Sequence, residues 1–187
     1  SPIIHNSFFQ SNNLEGYYTT LNVNSNDLKT ILHTLRKLNF RGANVTIPHK
    51  TDIIPYLDSL DSLSNSVNAV NTVLYENEKL IGYNTDVEGF MKPLRKNIQR
   101  FDNKKAVILG SGGASKAVLY GLINANCKEL IILNRTIENA RQIVTNLDSD
   151  IPISCHVLNQ KTIYSLSDVD IMINTVPLHK TNTILDF

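Results

Sequence analysis

Leu28, Ile31, Leu32, Leu35 and Leu38 recur at helical spacing behind Asn26 or Asp27 as an N-cap, which predicts a helix that stops by Gly42. Tyr17 to Val23 ahead of it reads as a strand. Ala43 to Ile47 behind it reads as a second strand, ended by Pro48, which cannot donate to a ladder. A helix beginning near Lys50 follows. Ala69 to Tyr75 and Lys79 to Tyr83, separated by Glu76-Asn77-Glu78, form a predicted hairpin. Thr85 to Ile98 is amphipathic, with Val87, Phe90, Met91 and Leu94 on one side and Pro93 as an expected kink.

The second half has a regular strand and helix rhythm. Lys105 to Leu109 is a short apolar strand, Gly110 to Gly113 a tight loop, Ala114 to Ala125 a helix and Glu129 to Leu133 the next strand. Ile137 to Leu147 gives another helix and Val169 to Ile173 another strand. Continuous apolar strands joined by helices pack as a parallel, doubly wound sheet covered on both faces. The texture changes near residue 100, so we expect two domains, residues 1–98 and 99–187.

Composition narrows the function classes. Among 187 residues, 18 basic and 17 acidic side chains leave a formal net charge of +1, and 42% are hydrophobic. Those values are globular and argue against disorder and against a basic field for nucleic acid. With 7% aromatic residues the chain also lacks the stacking platforms of a single-strand binder. The longest apolar runs, such as Ala106 to Leu109, fall far short of the roughly 20 residues a membrane span needs. Cys127 and Cys155 cannot build a disulfide framework and no basic-then-apolar leader opens the chain, so we expect a soluble cytoplasmic protein. His5, His33, His49, His156 and His179 show no pair at ligand spacing, and no metal is expected. No G-x-S-x-G elbow is present.

Gly110-Ser111-Gly112-Gly113-Ala114 lies directly after a strand and before a helix, where small residues and free N–H groups can receive a pyrophosphate. Ser115 takes the place of the third Gly or Ala of that pattern. A turn that simply needs positive φ would account for the glycines alone. Asn134-Arg135-Thr136 ends the next strand, where an NAD site would usually place a carboxylate. A guanidinium between small polar side chains instead suits a 2′-phosphate, so the expected cofactor is NADP.

Asn44-Val45-Thr46-Ile47-Pro48-His49-Lys50 carries a second cluster. Alternation puts Asn44 and Thr46 on one face, and Lys50 follows the strand's carboxyl end, where ligands of open α/β sheets gather. Asn84-Thr85-Asp86 and Asn71 add amide, hydroxyl and carboxylate groups that suit a ligand with several hydroxyls. Turn and cap roles for Asn84 and Asp86, with Lys50 as a surface cation, fit the pattern equally.

These residues resemble the shikimate dehydrogenases. The resemblance rests on Asn44 to Lys50, Ala69-Val70-Asn71-Thr72-Val73, Gly82-Tyr83-Asn84-Thr85-Asp86, the Gly110 to Ala114 loop, Asn134-Arg135-Thr136 and Asn174-Thr175, in family order over most of the chain. It implies an N-terminal α/β substrate domain followed by a Rossmann-like doubly wound NADP-binding domain, truncated, in a chain incomplete at both ends. The implied activity is NADP-dependent, reversible reduction of 3-dehydroshikimate to shikimate in aromatic amino-acid biosynthesis, by a monomer or homodimer. The implied catalytic pair is Lys50 and Asp86, with Asn44, Thr46 and Asn71 contacting substrate. Ser1 corresponds to the second of two family serines that bind the substrate carboxylate. Implied cofactor contacts are Gly110, Ser111, Gly112, Gly113, Ala114, Asn134, Arg135, Thr136 and Thr175.

Three departures accompany the resemblance. Asn68 stands where the family usually has Gly, Ser111 replaces the commoner Ala, and Val176-Pro177-Leu178-His179-Lys180 differs from the usual T-P-x-G-M near the nicotinamide. Two other readings remain beside the main one: a quinate/shikimate dehydrogenase of broader specificity, and a non-catalytic NADP- or shikimate-binding homologue.

Overall fold

Two four-stranded sheets divide the chain. A computed structural model describes residues 1–38, 40–145, 147 and 149–177; Leu178, His179 and Lys180 lie outside the described residues. The first sheet contains β1 (Gly42–Asn44), β2 (Ser59–Leu60), β3 (Thr72–Glu76) and β4 (Lys79–Tyr83) in the order β1-β3-β4-β2. β3 is antiparallel to both β1 and β4, with Thr72 opposite Asn44 on one side and Tyr83 on the other, while β2 runs parallel to β4. The hairpin turn is one residue tighter than its sequence suggested. Asn77 and Glu78 both take positive φ, 51° and 64°, which matches the right-handed twist of the flanking strands.

Among the described residues, four α-helices accompany this sheet: α1 (Pro2–Ser11), α2 (Leu28–Lys37), α3 (His49–Asp52) and α4 (Ser62–Val67). The leucine periodicity seats Leu32 in a core with Ile53, Val70, Val73 and Leu80. Asp61 caps α4 by accepting from Ser64 N at 2.8 Å, and Asn68 ends it at φ 51°. Asparagine tolerates that left-handed position nearly as glycine does, so Asn68 is a conservative departure.

Two strand expectations are corrected. Tyr17 to Val23 forms no strand, because no neighbouring strand among the described residues offers it a ladder and β-propensity alone does not hold an extended segment. It is instead clamped by side chains: Asn6 Nδ2 donates to Tyr18 O at 2.9 Å, Tyr18 N donates to Asn6 Oδ1 at 2.7 Å, and His49 Nε2 lies 2.8 Å from Val23 O. The strand expected from Ala43 to Ile47 ends at Asn44. Val45 N still reaches Asn71 O at 2.7 Å, but the chain then turns, with His49 N on Thr46 O at 2.9 Å. Ile47, beyond the strand's end, is 58% exposed.

The second sheet is wholly parallel. β5 (Lys105–Leu109), β6 (Glu129–Asn134), β7 (Ile153–Val157) and β8 (Ile171–Asn174) take the order β7-β6-β5-β8, with α6 (Gly113–Asn124), α7 (Ile137–Thr145) and α8 (Gln160–Tyr164) in the crossovers. Its two central strands are apolar from Ala106 to Leu109 and from Leu130 to Leu133 because both faces are covered there. Ala106, Ile108, Leu130 and Ile132 pack in one core, while Val107, Leu109, Ile131 and Leu133 pack in another with Leu158. The amphipathic segment is α5 (Asp86–Asn97), which runs on through Pro93 and buries Val87 and Met91 against α6 residues. Val67 and Ala69 enter the same core. The two sheets thus share one apolar seam. Cys127 and Cys155 are free thiols. No helix among the described residues is long and apolar enough to cross a membrane.

Candidate active site between the two sheets

Lys50 stands at the second position of α3, and Asp86 opens α5. They meet across 36 residues: Lys50 Nζ donates to Asp86 Oδ2 at 2.5 Å, with side chains 14% and 29% exposed. Backbone pairing delivers both. Val70 N donates to Lys50 O at 2.7 Å, and Asn71 N donates to Tyr83 O at 3.0 Å, which ties α3 and the hairpin ends together.

Asn71 orients the carboxylate. Its Nδ2 donates to Asp86 Oδ1 and to Thr85 Oγ1, each at 2.8 Å, and its Oδ1 accepts from Thr85 N at 3.0 Å and Thr72 Oγ1 at 2.9 Å. Both amide hydrogens are thereby engaged within the protein. Asn84, 4% exposed, is the cap of α5: its Oδ1 accepts from Asp86 N at 2.9 Å and Val87 N at 3.4 Å, while Nδ2 donates to Ala69 O at 2.9 Å. The cap reading holds for Asn84. It does not displace Asp86 from the site. A carboxylate in the first turn of a helix also lies at the positive end of the helix dipole.

Asn44, the last residue of β1, and Thr46 just beyond it are both exposed. Asn44 Oδ1 accepts from Tyr18 Oη at 3.1 Å, and the Tyr18 ring stacks on His5 at 4.2 Å. Ser1 precedes the same α1 that carries His5 and Asn6. Tyr18 was not anticipated from the sequence, since its partner is 26 residues away and the intervening chain has no regular pattern.

The glycine loop comes from the other sheet and touches the same lysine. A Cβ placed on Gly113 would lie 2.9 Å from Lys50 Cβ and 3.2 Å from its Cδ, so the start of α6 rests on the lysine stem. Gly110 has φ +105° and its Cβ would lie 2.6 Å from Thr175 Oγ1; here glycine is required by the backbone and by the close approach. Around Gly112 a Cβ would meet nothing within 4 Å, leaving open space in front of the helix start. The first N–H groups of α6 have no intrahelical acceptors and carry the partial positive charge of the helix.

Arg135 is exposed after β6, with no hydrogen bond or ion pair among the described residues. Asn134 Nδ2 closes its own loop on Thr136 O at 2.8 Å. Ser111, Gly112 and Gly113 also line a cavity of about 450 Å3 with Asn68, Lys116 and Asn139; Lys50 and Asp86 are not in its wall. Lys116 Nζ donates to Asn68 O at 3.1 Å, and burial holds its ammonium below the ordinary lysine range.

Fold and site define a two-lobed α/β protein in which a dinucleotide-type loop abuts a lysine–aspartate pair. The family model for the shikimate dehydrogenase substrate binding domain matches residues 1–73, and that for shikimate/quinate 5-dehydrogenase matches residues 93–184. The shikimate dehydrogenase (NADP(+)) of Clostridium botulinum strain Loch Maree is 36% identical over 182 residues, covering 97% of this chain and 68% of that protein. The chain belongs to the shikimate dehydrogenase family. The enzyme of that name from Carboxydothermus hydrogenoformans is 40% identical over 179 residues, 95% of this chain and 63% of its own length. Shikimate 5-dehydrogenase of Thermus thermophilus, solved with NADP(H) and shikimate, superposes with a TM-score of 0.77 at 28% identity, covering 94% of this chain and 62% of that one. The chain thus spans less than two thirds of the length of several relatives.

Proposed function

We propose that this chain binds NADP(H) and shikimate or 3-dehydroshikimate and takes part in their reversible interconversion. The observation that carries the reading is the position of Lys50, whose ammonium is 2.5 Å from Asp86 while its stem lies against Gly113. One residue therefore joins the polar cluster of Asp86 and Asn71 to the glycine loop. NADPH held there would supply the hydride that reduces the ring ketone.

As negative charge develops on the ketone oxygen, the Lys50 ammonium stabilises it and gives it a proton, completing the hydroxyl. In the reverse direction the lysine accepts that proton. Asp86 holds the ammonium in place through Oδ2, and Asn71 fixes Asp86 through Oδ1. Asn44 and Thr46 offer amide and hydroxyl groups to the ring hydroxyls, with Ser1 toward the carboxylate.

The glycine loop fits the cofactor because Gly112 leaves room for a phosphate at the helix start, and the exposed Arg135 guanidinium, unengaged among the described residues, would hold a 2′-phosphate together with Thr136. We place the boundary between a substrate domain, residues 1–98, and a cofactor domain, from residue 99 on, within the link after α5. Free Cys127 and Cys155 agree with a reducing cytoplasm, and we expect a monomer or homodimer. The test is NADPH oxidation by the full-length protein with 3-dehydroshikimate, compared with quinate and NAD in the reverse direction. Ligand binding without turnover would favour a non-catalytic homologue.

A further inference from the structure

Ser115 breaks the expected glycine pattern, and the structure gives it a buried partner. It is 2% exposed, and its Oγ lies 2.6 Å from Thr175 Oγ1. Thr175 Oγ1 also donates to Leu109 O at 2.6 Å, and Thr175 N donates to the same carbonyl at 3.0 Å. A carbonyl can only accept, so the threonine's single hydroxyl proton is committed to Leu109. Ser115 must then be the donor of the Ser115–Thr175 bond.

The result is a directed chain from the first turn of α6 through the residue after β8 to the end of β5. Gly110 leaves the space for it, since a Cβ there would fall 2.6 Å from Thr175 Oγ1. The next residue is fixed too, with Val176 N donating to Asn174 Oδ1 at 2.9 Å.

Topology gives this chain a direction along a bound dinucleotide. β6 and β8 flank β5 on opposite sides. Arg135 follows β6, so a cofactor held by the loop after β5 with its 2′-phosphate on Arg135 must direct its nicotinamide half toward β8. The Thr175 hydroxyl, already engaged on both sides, is placed to hold protein to protein. Resting on the NADP reading above, we propose that Ser115 and Thr175 form a positioning pair that fixes Thr175 and Val176, directly after β8, against the glycine loop and so orders the nicotinamide half of the cofactor. Neither is a catalytic residue.

Two ligands separate this role from general structural support: NADP+ and adenosine 2′,5′-bisphosphate, which has the phosphates but no nicotinamide. Titration calorimetry on the full-length protein should show Thr175→Val weakening NADP+ about tenfold, as expected for a lost buried hydrogen-bond partner, while the bisphosphate changes by less than about twofold. Thr175→Ser, which keeps the hydroxyl, should restore NADP+ affinity. Ser115→Ala should follow Thr175→Val in kind, and the double variant should be no worse than Thr175→Val alone. Equal losses for both ligands with a lowered Tm, or Thr175→Val indistinguishable from wild type, would overturn the positioning role and leave the NADP reading standing. A wild-type protein that binds neither ligand would overturn both.

Discussion

Gly113→Ala tests the contact on which the proposed site depends. The added Cβ would lie 2.9 Å from Lys50 Cβ, whereas carbon atoms pack best at roughly 3.5–4.0 Å. Relief therefore requires an opening of about 0.6–1.1 Å between α6 and α3. The Lys50 atom in the way is its Cβ, fixed to the backbone, so the lysine cannot swing aside and must move with α3 or force α6 away. Overpacking of this kind costs about 1–3 kcal/mol, and the gain in helix propensity from Gly to Ala returns about 0.5–1 kcal/mol. The fold should survive with a net loss of about 1 kcal/mol. A displacement of about 1 Å at a reacting group can cost on the order of 10²-fold in rate. We expect Gly113→Ala to lower kcat by one to two decades with a Tm shift of only a few degrees, read by steady-state NADPH oxidation beside thermal melting. Retention of kcat within about twofold of wild type would show that the close approach at Gly113 has no bearing on where the lysine acts.

Four further outcomes follow from the geometry. Lys50→Ala should remove about 10²- to 10⁴-fold of turnover while NADPH binding, measured by fluorescence titration, stays near wild type; unchanged turnover would take Lys50 out of the mechanism. Arg135→Ala should weaken NADPH about tenfold or more and NADH little, and equal losses would exclude a 2′-phosphate contact. Asn84→Ala should destabilise by about 2–4 kcal/mol in urea unfolding, because it uncaps α5 and leaves Ala69 O without its partner. Asp58 supplies a pH test: Leu80 N donating to its Oδ2 at 2.6 Å, with the Arg36 guanidinium beside it, holds its carboxyl below the usual range against the opposing effect of burial. A carboxylate with a depressed folded pKa contributes stability above its unfolded pKa of about 4 that is lost as pH falls through the lower folded value. Acid unfolding of Asp58→Asn should accordingly be shallower below about pH 4 than that of wild type, and superimposable curves would show that the pair contributes nothing.

The second sheet was legible because burial on both faces writes itself into sequence as unbroken apolar runs, as at Ala106 to Leu109 and Leu130 to Leu133. β7 escaped notice: Ser154, Cys155 and His156 interrupt its apolar character, and at the sheet edge it is only partly buried. In the first half, Tyr17 to Val23 has strand composition without a strand beside it, and composition cannot report a missing neighbour. The Lys50–Asp86 pairing was readable only as motifs in order. Its distance is set by backbone bonds such as Val70 N to Lys50 O, which no periodicity reveals. Ser115 is the converse case, since a mismatch to a glycine pattern proved to be a hydroxyl with a specific acceptor.

Those backbone bonds also bear on why the lysine can serve two lobes. Lys50 O is tied to Val70 N, Val70 is buried in the core of the first sheet, and its neighbour Ala69 is buried in the core shared with α5 and α6. The lysine stem meets Gly113 at the start of that same α6. A rigid displacement of either sheet would therefore have to pull Ala69 from one core or Val70 from the other before the Lys50 to Gly113 distance could change freely. Well-packed cores resist such shifts because their contacts are lost together rather than gradually. The spacing between Lys50 and the glycine loop is thus set by two adjacent small apolar residues, at positions 69 and 70, and not by the salt bridge itself. Ala69→Gly, which removes packing from the shared core but leaves the ion pair intact, should on this argument loosen that spacing while preserving the 2.5 Å Lys50 to Asp86 contact. A crystal structure of the variant in which both distances are unchanged would refute it.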